Sequence, residues 1–205
     1  MSFTIPLIEP NHSLARVKLR RHLRNARRAL SHEQQQQAEQ QLAQQLIQSI
    51  WFKQLNPTAR VALYLSNDGE ISPTTFCQYL WQHQIDTFLP LLTGETLAFA
   101  HYHSDCDWQK NHFGILEPID AQPLTGADMD LVLLPLVGFD KSGGRLGMGG
   151  GFYDKTFANK VAGHPPILLG LAHECQEVTC LPIESWDVPL DGIITPSHCI
   201  ACESA

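Results

Sequence analysis

The sequence has no apolar run near the roughly 18 residues that a membrane-spanning helix needs. Its opening, MSFTIPLIEPNHS, lacks a basic n-region followed by an apolar h-region, so no secretory signal is expected. An arginine-rich segment follows, but Glu9 and the prolines at 6 and 10 break an amphipathic leader early, and a mitochondrial presequence is not expected either. Six cysteines (77, 106, 175, 180, 199 and 202) in 205 residues are too few for a dense disulfide framework. Reduced thiols and a cytoplasmic location are the expectation. His198 with Cys199-Ile-Ala-Cys202 resembles half a zinc site. No second half with matching spacing follows, because Cys175 and Cys180 are four residues apart, and the segment reads instead as a variable C-terminal tail. Positive charge is also scarce. A net charge of −7 argues against general nucleic-acid binding. Neither common nucleotide fingerprint is present, since GxxxxGK[ST] is missing and GxGxxG does not fit the glycine-rich stretch.

What basic charge there is lies in one place. Seven of the fourteen Lys and Arg side chains (Arg16, Lys18, Arg20, Arg21, Arg24, Arg27 and Arg28) fall within one short segment, which implies that something anionic meets it. Residues 14–30 read as a helix with Leu19, Leu23, Ala26 and Leu30 on one apolar stripe. Arg16, Arg20, Arg24 and Arg27 recur at the same spacing on a neighbouring stripe, not the opposite one. Arginines at the border of a core are placed to reach into a cleft; the competing expectation is a solvated basic face. Ser31, with Gln34 three residues on, predicts the start of a second helix. Its buried face is Ala38, Leu42, Leu46, Ile47 and Ile50, and its glutamines read as an ordered surface.

From residue 60 the texture changes to short apolar runs: RVALYL (60–65), IDTFLP (85–90), DLVLLPLVGF (130–139), ILLGLA (167–172) and DGIIT (191–195), with TLAFAHY (96–102) as an added strand. Helical segments near 73–83 and 152–162 lie between them. Continuous apolar runs alternating with helices predict a single α/β domain over residues 1–205, a largely parallel doubly wound sheet with helices on both faces and an N-terminal helical segment. The densest chemical signal is GFDKSGGRLGMGGGFYD (138–154), between an apolar run and a helix. Its glycines leave the backbone N–H groups open to phosphate oxygens. Arg145 can fork onto phosphate, and Asp154 is close enough to share Mg²⁺ with it.

That string resembles the signature of the 5-formyltetrahydrofolate cyclo-ligases, also called methenyltetrahydrofolate synthetases. The resemblance extends to the basic segment Arg16 to Ser31, YLSNDGEI (64–71), FGILEP (113–118), DLVLLPLVGFD (130–140) and DVPLDGIIT (187–195), in order along the chain. It implies an ATP- and Mg²⁺-dependent enzyme of folate metabolism that closes 5-formyltetrahydrofolate, with or without a polyglutamate tail, to 5,10-methenyltetrahydrofolate. ADP and phosphate leave by way of a phosphorylated formyl group. It implies ATP contacts from Arg16, Arg20, Arg145, Leu146, Gly147, Met148, Gly149, Gly150, Gly151, Phe152 and Tyr153. Folate contacts are implied for Leu65, Glu70, Met148, Gly149, Gly150, Gly151 and Phe152. Arg145 and Asp154 would be catalytic, and Asp154 and Asp191 would be the Mg²⁺ carboxylates. A monomer acting without nucleic acid or membrane is expected. Met148 and Gly150 stand where some members carry basic side chains, so backbone amides or Arg24 are expected to serve there, and Phe152 replaces a frequent tyrosine.

Overall fold

A computed structural model describes residues 12–202 apart from 112, 113, 115, 121 and 162. The opening residues weighed as a leader lie outside the described part, as do Phe113 and Ile115 of FGILEP. Helix α1 (His12–Arg28) is followed by α2 (His32–Gln48) and the short α3 (Ile50–Lys53). Ser31 caps α2 as its sequence predicts: its hydroxyl accepts the Gln34 N–H at 3.2 Å, while the Gln34 side chain accepts the Ser31 N–H at 2.8 Å. Ser49 ends α2 and starts α3, donating its hydroxyl to the Leu46 carbonyl at 2.7 Å and accepting from the Phe52 N–H at 3.2 Å.

The strands follow as β1 (Arg60–Ala62), β2 (Asp86–Thr93), β3 (Thr96–His101), β4 (Trp108–Lys110), β5 (Leu116–Pro118), β6 (Leu124–Thr125), β7 (Leu131–Pro135), β8 (Gly138–Phe139), β9 (Arg145–Leu146), β10 (Ile167–Leu171), β11 (Gly192–Ile194) and β12 (Cys199–Ala201). Helix α4 (Thr74–Gln82) lies between β1 and β2, and α5 (Phe152–Thr156) follows β9. Eight strands form one sheet in the order β12-β11-β10-β7-β1-β2-β3-β6. Its five central members, β11 to β2, run parallel, and the outer pairings are antiparallel.

The apolar runs are continuous because both faces of the sheet are covered. Val61, Leu131, Leu133 and Leu169 join Leu42 and Leu46 of α2 and Phe76 and Leu80 of α4 in one core cluster. Ala62, Val132, Leu134 and Leu168, the alternate residues, join Phe99, Phe157 and Leu190 in another. That is the period-2 alternation of a strand buried on both sides. A third, smaller cluster of Leu23, Val137, Leu146 and Leu181 docks α1 against the β8–β9 hairpin.

Several elements differ from their sequence-based outlines: Ile50, expected on the buried face of α2, is exposed at the start of α3, and β1 takes only the first half of RVALYL. The run 130–139 splits after Pro135 into β7 and β8, and β8 pairs with β9 outside the main sheet. The helix expected over 152–162 is only the five residues of α5. The C-terminal segment is an edge strand rather than a tail, with Ile194 opposite Cys199. Chain order reverses at the centre: β1 leads through α4 to β2 on one side, while β7, β10 and β11 build the other. The gap between the carboxyl ends of β1 and β7 is thus a topological switch point, where open α/β sheets gather their ligands.

Candidate functional site

A cleft of about 560 Å³ opens at that switch point, walled by Arg16 and Arg20 of α1, Glu70, Pro135 and Leu136 at the carboxyl end of β7, and Arg145 with residues 147–154. Glu184, Trp186 and Asp187 close one side. The glycine segment is held open from its base. Both Asp140 carboxylate oxygens are used: Oδ1 accepts the Ser142 and Gly144 N–H groups at 3.0 Å, and Oδ2 accepts from Leu181 N–H at 2.8 Å. A Cβ at Gly144 would meet Asp140 Oδ2 at 2.6 Å, so glycine is needed for this close approach. The turn delivers Arg145 into a buried position, where it donates to the Val188 carbonyl and to Asp154 Oδ1. Burial pulls its guanidinium pKa down, and Asp154 and Asp187 act against that shift.

Gly149 and Gly151 both adopt positive φ, 102° and 68°, and carry the chain around the cleft mouth into α5. The N–H groups of residues 147–151 donate to no described residue, leaving a run of open donors. Arg20 lies across this loop, donating from Nε to the Gly147 carbonyl at 2.8 Å. Its guanidinium carbon would sit 3.5 Å from a Cβ at Gly149. Arg20 therefore occupies the position for which Arg24 was considered. Arg24 does not line the cleft, and donates from Nε to Asp68 Oδ2 at 2.7 Å.

Glu70 is far from the solvated turn carboxylate that SNDGE suggests by itself. Its side chain is 12% exposed, its Oε2 accepts the Asn67 N–H at 3.0 Å, and its Oε1 lies 3.5 Å from Arg27 Nη2. Burial raises its pKa, opposed by the Asn67 N–H and the charge of Arg27. Leu65, expected beside it, belongs to the same loop but is exposed and does not line the cleft.

The metal pair expected from sequence is not assembled. Asp154 is in the cleft; Asp191 stands at the amino end of β11, away from it. Asp191 Oδ2 accepts from Leu168 N–H at 2.7 Å and pairs with the buried Lys160 ammonium at 2.9 Å. Of the two aspartates in DVPLD, the one brought to the cleft with Asp154 is Asp187, four residues before Asp191. Asp187 pairs with Arg16 at 2.8 Å, and Arg16 also donates to the Pro182 carbonyl at 2.8 Å. The sequence carries a signal for this: Asp191 is the first residue of the run DGIIT, which puts it at the amino end of its strand, the wrong end of a parallel sheet for ligands. Arg27 lies on the arginine stripe expected from sequence, but its partner Asp68, 41 residues away, carries no signal there.

Among the described residues no group of three or more His, Cys, Asp or Glu is placed to hold a metal ion, the Cys199–Cys202 segment included. Asp154 does retain an oxygen, Oδ2, that accepts from no described donor, while Oδ1 takes Arg145 and the Val188 N–H at 3.0 Å. One or two carboxylates beside a phosphate-binding loop suit Mg²⁺, which keeps several waters and shares phosphate oxygens.

A family model described as the 5-formyltetrahydrofolate cyclo-ligase family matches residues 12–196. A 5-formyltetrahydrofolate cyclo-ligase of Haemophilus influenzae is 42% identical over 186 residues, covering 87% of this chain and 96% of that protein. The Escherichia coli K12 protein of the same name is 38% identical over 182 residues, covering 85% and 97%. Among solved structures, the Aquifex aeolicus 5,10-methenyltetrahydrofolate synthetase superposes with a TM-score of 0.78 at 27% identity, covering 93% of this chain and 94% of that one. The matched residues 12–196 run from the first turn of α1 past β11, so they take in both walls of the cleft. This chain belongs to the 5-formyltetrahydrofolate cyclo-ligase family.

Proposed function

We propose that this enzyme closes 5-formyltetrahydrofolate to 5,10-methenyltetrahydrofolate with ATP and Mg²⁺, releasing ADP and phosphate. The observation that carries it is the meeting of Arg16, Arg20, Arg145, Asp154 and an open-amide glycine loop with the buried carboxylate Glu70 in one cleft. The first group suits a polyphosphate. Glu70 suits a ligand edge with paired N–H donors, such as the amide side of a pterin.

A formamide oxygen is a poor leaving group, so it must be activated. Attack by the N5-formyl oxygen on the γ-phosphorus releases ADP and leaves a phosphorylated iminium. N10 then attacks the formyl carbon, losing its proton as phosphate departs and the ring closes. Catalysis of this kind is positioning and charge stabilisation. Arg145, buried and fixed by the Val188 carbonyl and Asp154, is a preorganised donor for the transferring phosphoryl oxygens. Arg20 and the amides of Gly147 to Gly151 hold the remaining phosphates. Asp154, with Asp187 in the same cleft, would hold Mg²⁺, which would supply charge neutralisation for the phosphates. Phe152 offers an apolar face, and Met148 with Trp186 walls the outer side. All six cysteines are unpaired, which supports a reducing, cytoplasmic setting, and the cleft is lined from one chain, which supports a monomer.

The test is absorbance of the methenyl product formed from 5-formyltetrahydrofolate by the purified protein, with ATP and Mg²⁺ supplied together or withheld in turn. ATP- and Mg²⁺-dependent product with equimolar ADP is the expected result. Product formed equally without ATP, or none with it, overturns the proposal.

A further inference from the structure

Among the described residues Arg27 is the largest fully buried side chain, a charged one with an exposure of 0%. Its Nε donates to the Asp68 carbonyl and its Nη1 to the Leu136 carbonyl, both at 2.9 Å. Its Nη2 donates to Asp68 Oδ2 at 2.9 Å and lies 3.5 Å from Glu70 Oε1. One guanidinium thereby ties α1 to the loop after β1 and to the end of β7, the two strands that define the switch point. Asp68 alone does not balance it. That carboxylate also meets Arg24 at 2.7 Å and Arg28, so one negative charge faces three guanidiniums. Glu70 is the second carboxylate of the cluster, and a buried cation demands such pairing.

The two carboxylates are used differently. Asp68 is closed off by its arginines and does not line the cleft, whereas Glu70 does line it, with one N–H on Oε2 and Arg27 beside Oε1. A separation of 3.5 Å is too long for a full hydrogen bond, so Arg27 acts on Glu70 chiefly as a charge and leaves oxygen lone pairs for a ligand. We infer that Arg27 is a positioning residue for folate binding, holding Glu70 ionised and aimed into the cleft. This rests on Glu70 being the folate carboxylate of the proposed function.

The groups facing Glu70 set the sign of the effect. Arg27 and Arg24 on α1 and the Asn67 N–H favour its ionised form. Asp68 opposes it, and Tyr64 and Tyr153, phenols whose pKa values are pushed up by burial and by Glu70, face it as neutral groups. Folate binding through the carboxylate is lost as pH falls through the Glu70 pKa. Removing the Arg27 charge moves that loss to higher pH; removing the Asp68 charge moves it to lower pH.

The experiment is a titration of 5-formyltetrahydrofolate and, separately, of MgATP into wild type, Arg27→Gln, Arg27→Lys and Asp68→Asn across the acidic pH range, with melting temperatures in parallel. Arg27→Gln should weaken folate binding about tenfold near neutral pH, the cost of a disturbed charged hydrogen-bonding pair, with MgATP affinity changed less than about twofold. Its acidic limb should move up in pH, the Asp68→Asn limb down, and Arg27→Lys should restore the wild-type limb. Both neutralising variants lower the melting temperature, so a merely structural role would move the two limbs alike or not at all, and that result overturns the inference. If Arg27→Gln does not fold, the direction of the Asp68→Asn limb decides: a limb that stays or moves up sinks it. Failure of wild type to bind 5-formyltetrahydrofolate would instead remove the functional proposal beneath it.

Discussion

Glu70 shows how little a residue's neighbours in sequence say about its solvation. A carboxylate in a turn such as SNDGE is ordinarily a surface group, and only the packing of α1 over the loop turns it inward. Glu70→Gln keeps an acceptor but sets an amide donor against ligand donors, and loss of a charged hydrogen-bonding pair costs roughly 1.5–3 kcal/mol. Titration should show 5-formyltetrahydrofolate binding weakened about tenfold or more with MgATP binding nearly unchanged; equal affinity in both proteins would return Glu70 to a structural role. The two aspartates of DVPLD make the same point with a sharper contrast. Asp187→Asn should weaken MgATP binding, and because it frees Arg16 from its ion pair, metal-free ATP should bind at least as tightly as to wild type. Asp191→Asn should leave both affinities intact and lower the melting temperature, since it strands the buried Lys160. Calorimetry with and without Mg²⁺ separates them, and a reversed pattern would restore Asp191 to the site.

At the scale of the element, α1 resolves the choice between a solvated basic helix and a cleft-facing one. Arg16 and Arg27 are buried, Arg20 lies on the glycine loop, and the exposed cations are Lys18, Arg21 and Arg28. The stripe next to Leu19 and Leu23 is the one that reaches inward, as adjacency to the apolar stripe implies. Arg20→Ala should therefore raise the apparent KM for ATP well above any effect on folate. Arg21→Ala, about 100° around the helix, should change neither. Similar kinetics for the two variants would show that Arg20 is only a surface cation. Helix α2 was legible down to its cap, because a capping box is written within four residues. Ser31→Ala should cost about 1 kcal/mol of stability in chemical denaturation and leave KM values alone. The brevity of α5 was not legible, since the residues after Thr156 pack as turns only because Phe157 is taken into the core.

On the scale of the whole molecule, α1 is held to the sheet by a small apolar cluster and by the Arg24, Arg27 and Arg28 cluster on Asp68. Burial would raise the Asp68 carboxyl, but the three arginines outweigh it and hold it at about 2, against an ordinary 3.8. A folded-state pKa below the unfolded one means stability that is present above the ordinary value and lost as pH falls toward the depressed one. The stability difference between wild type and Asp68→Asn should thus be constant near neutral pH and shrink between about 3.8 and about 2. A difference independent of pH would mean that the cluster works through shape rather than charge.

The sequence by itself determined what is encoded over a few residues: strands buried on both faces, the capped α2, the inward arginine stripe, and a glycine segment fenced by Arg145 and Asp154. It determined the family as well, through several motifs in order. The tertiary structure alone decided which carboxylate faces which cation. Asp187 rather than Asp191 reaches the cleft, Glu70 rather than Leu65 walls it, and Arg24 closes on Asp68 instead of serving the glycine loop. Periodicity and turn chemistry act between near neighbours, whereas the pairing of Arg16 with Asp187 spans 171 residues of chain. Such a pairing exists only once the order of strands has put the two ends of the molecule on the same side of the sheet.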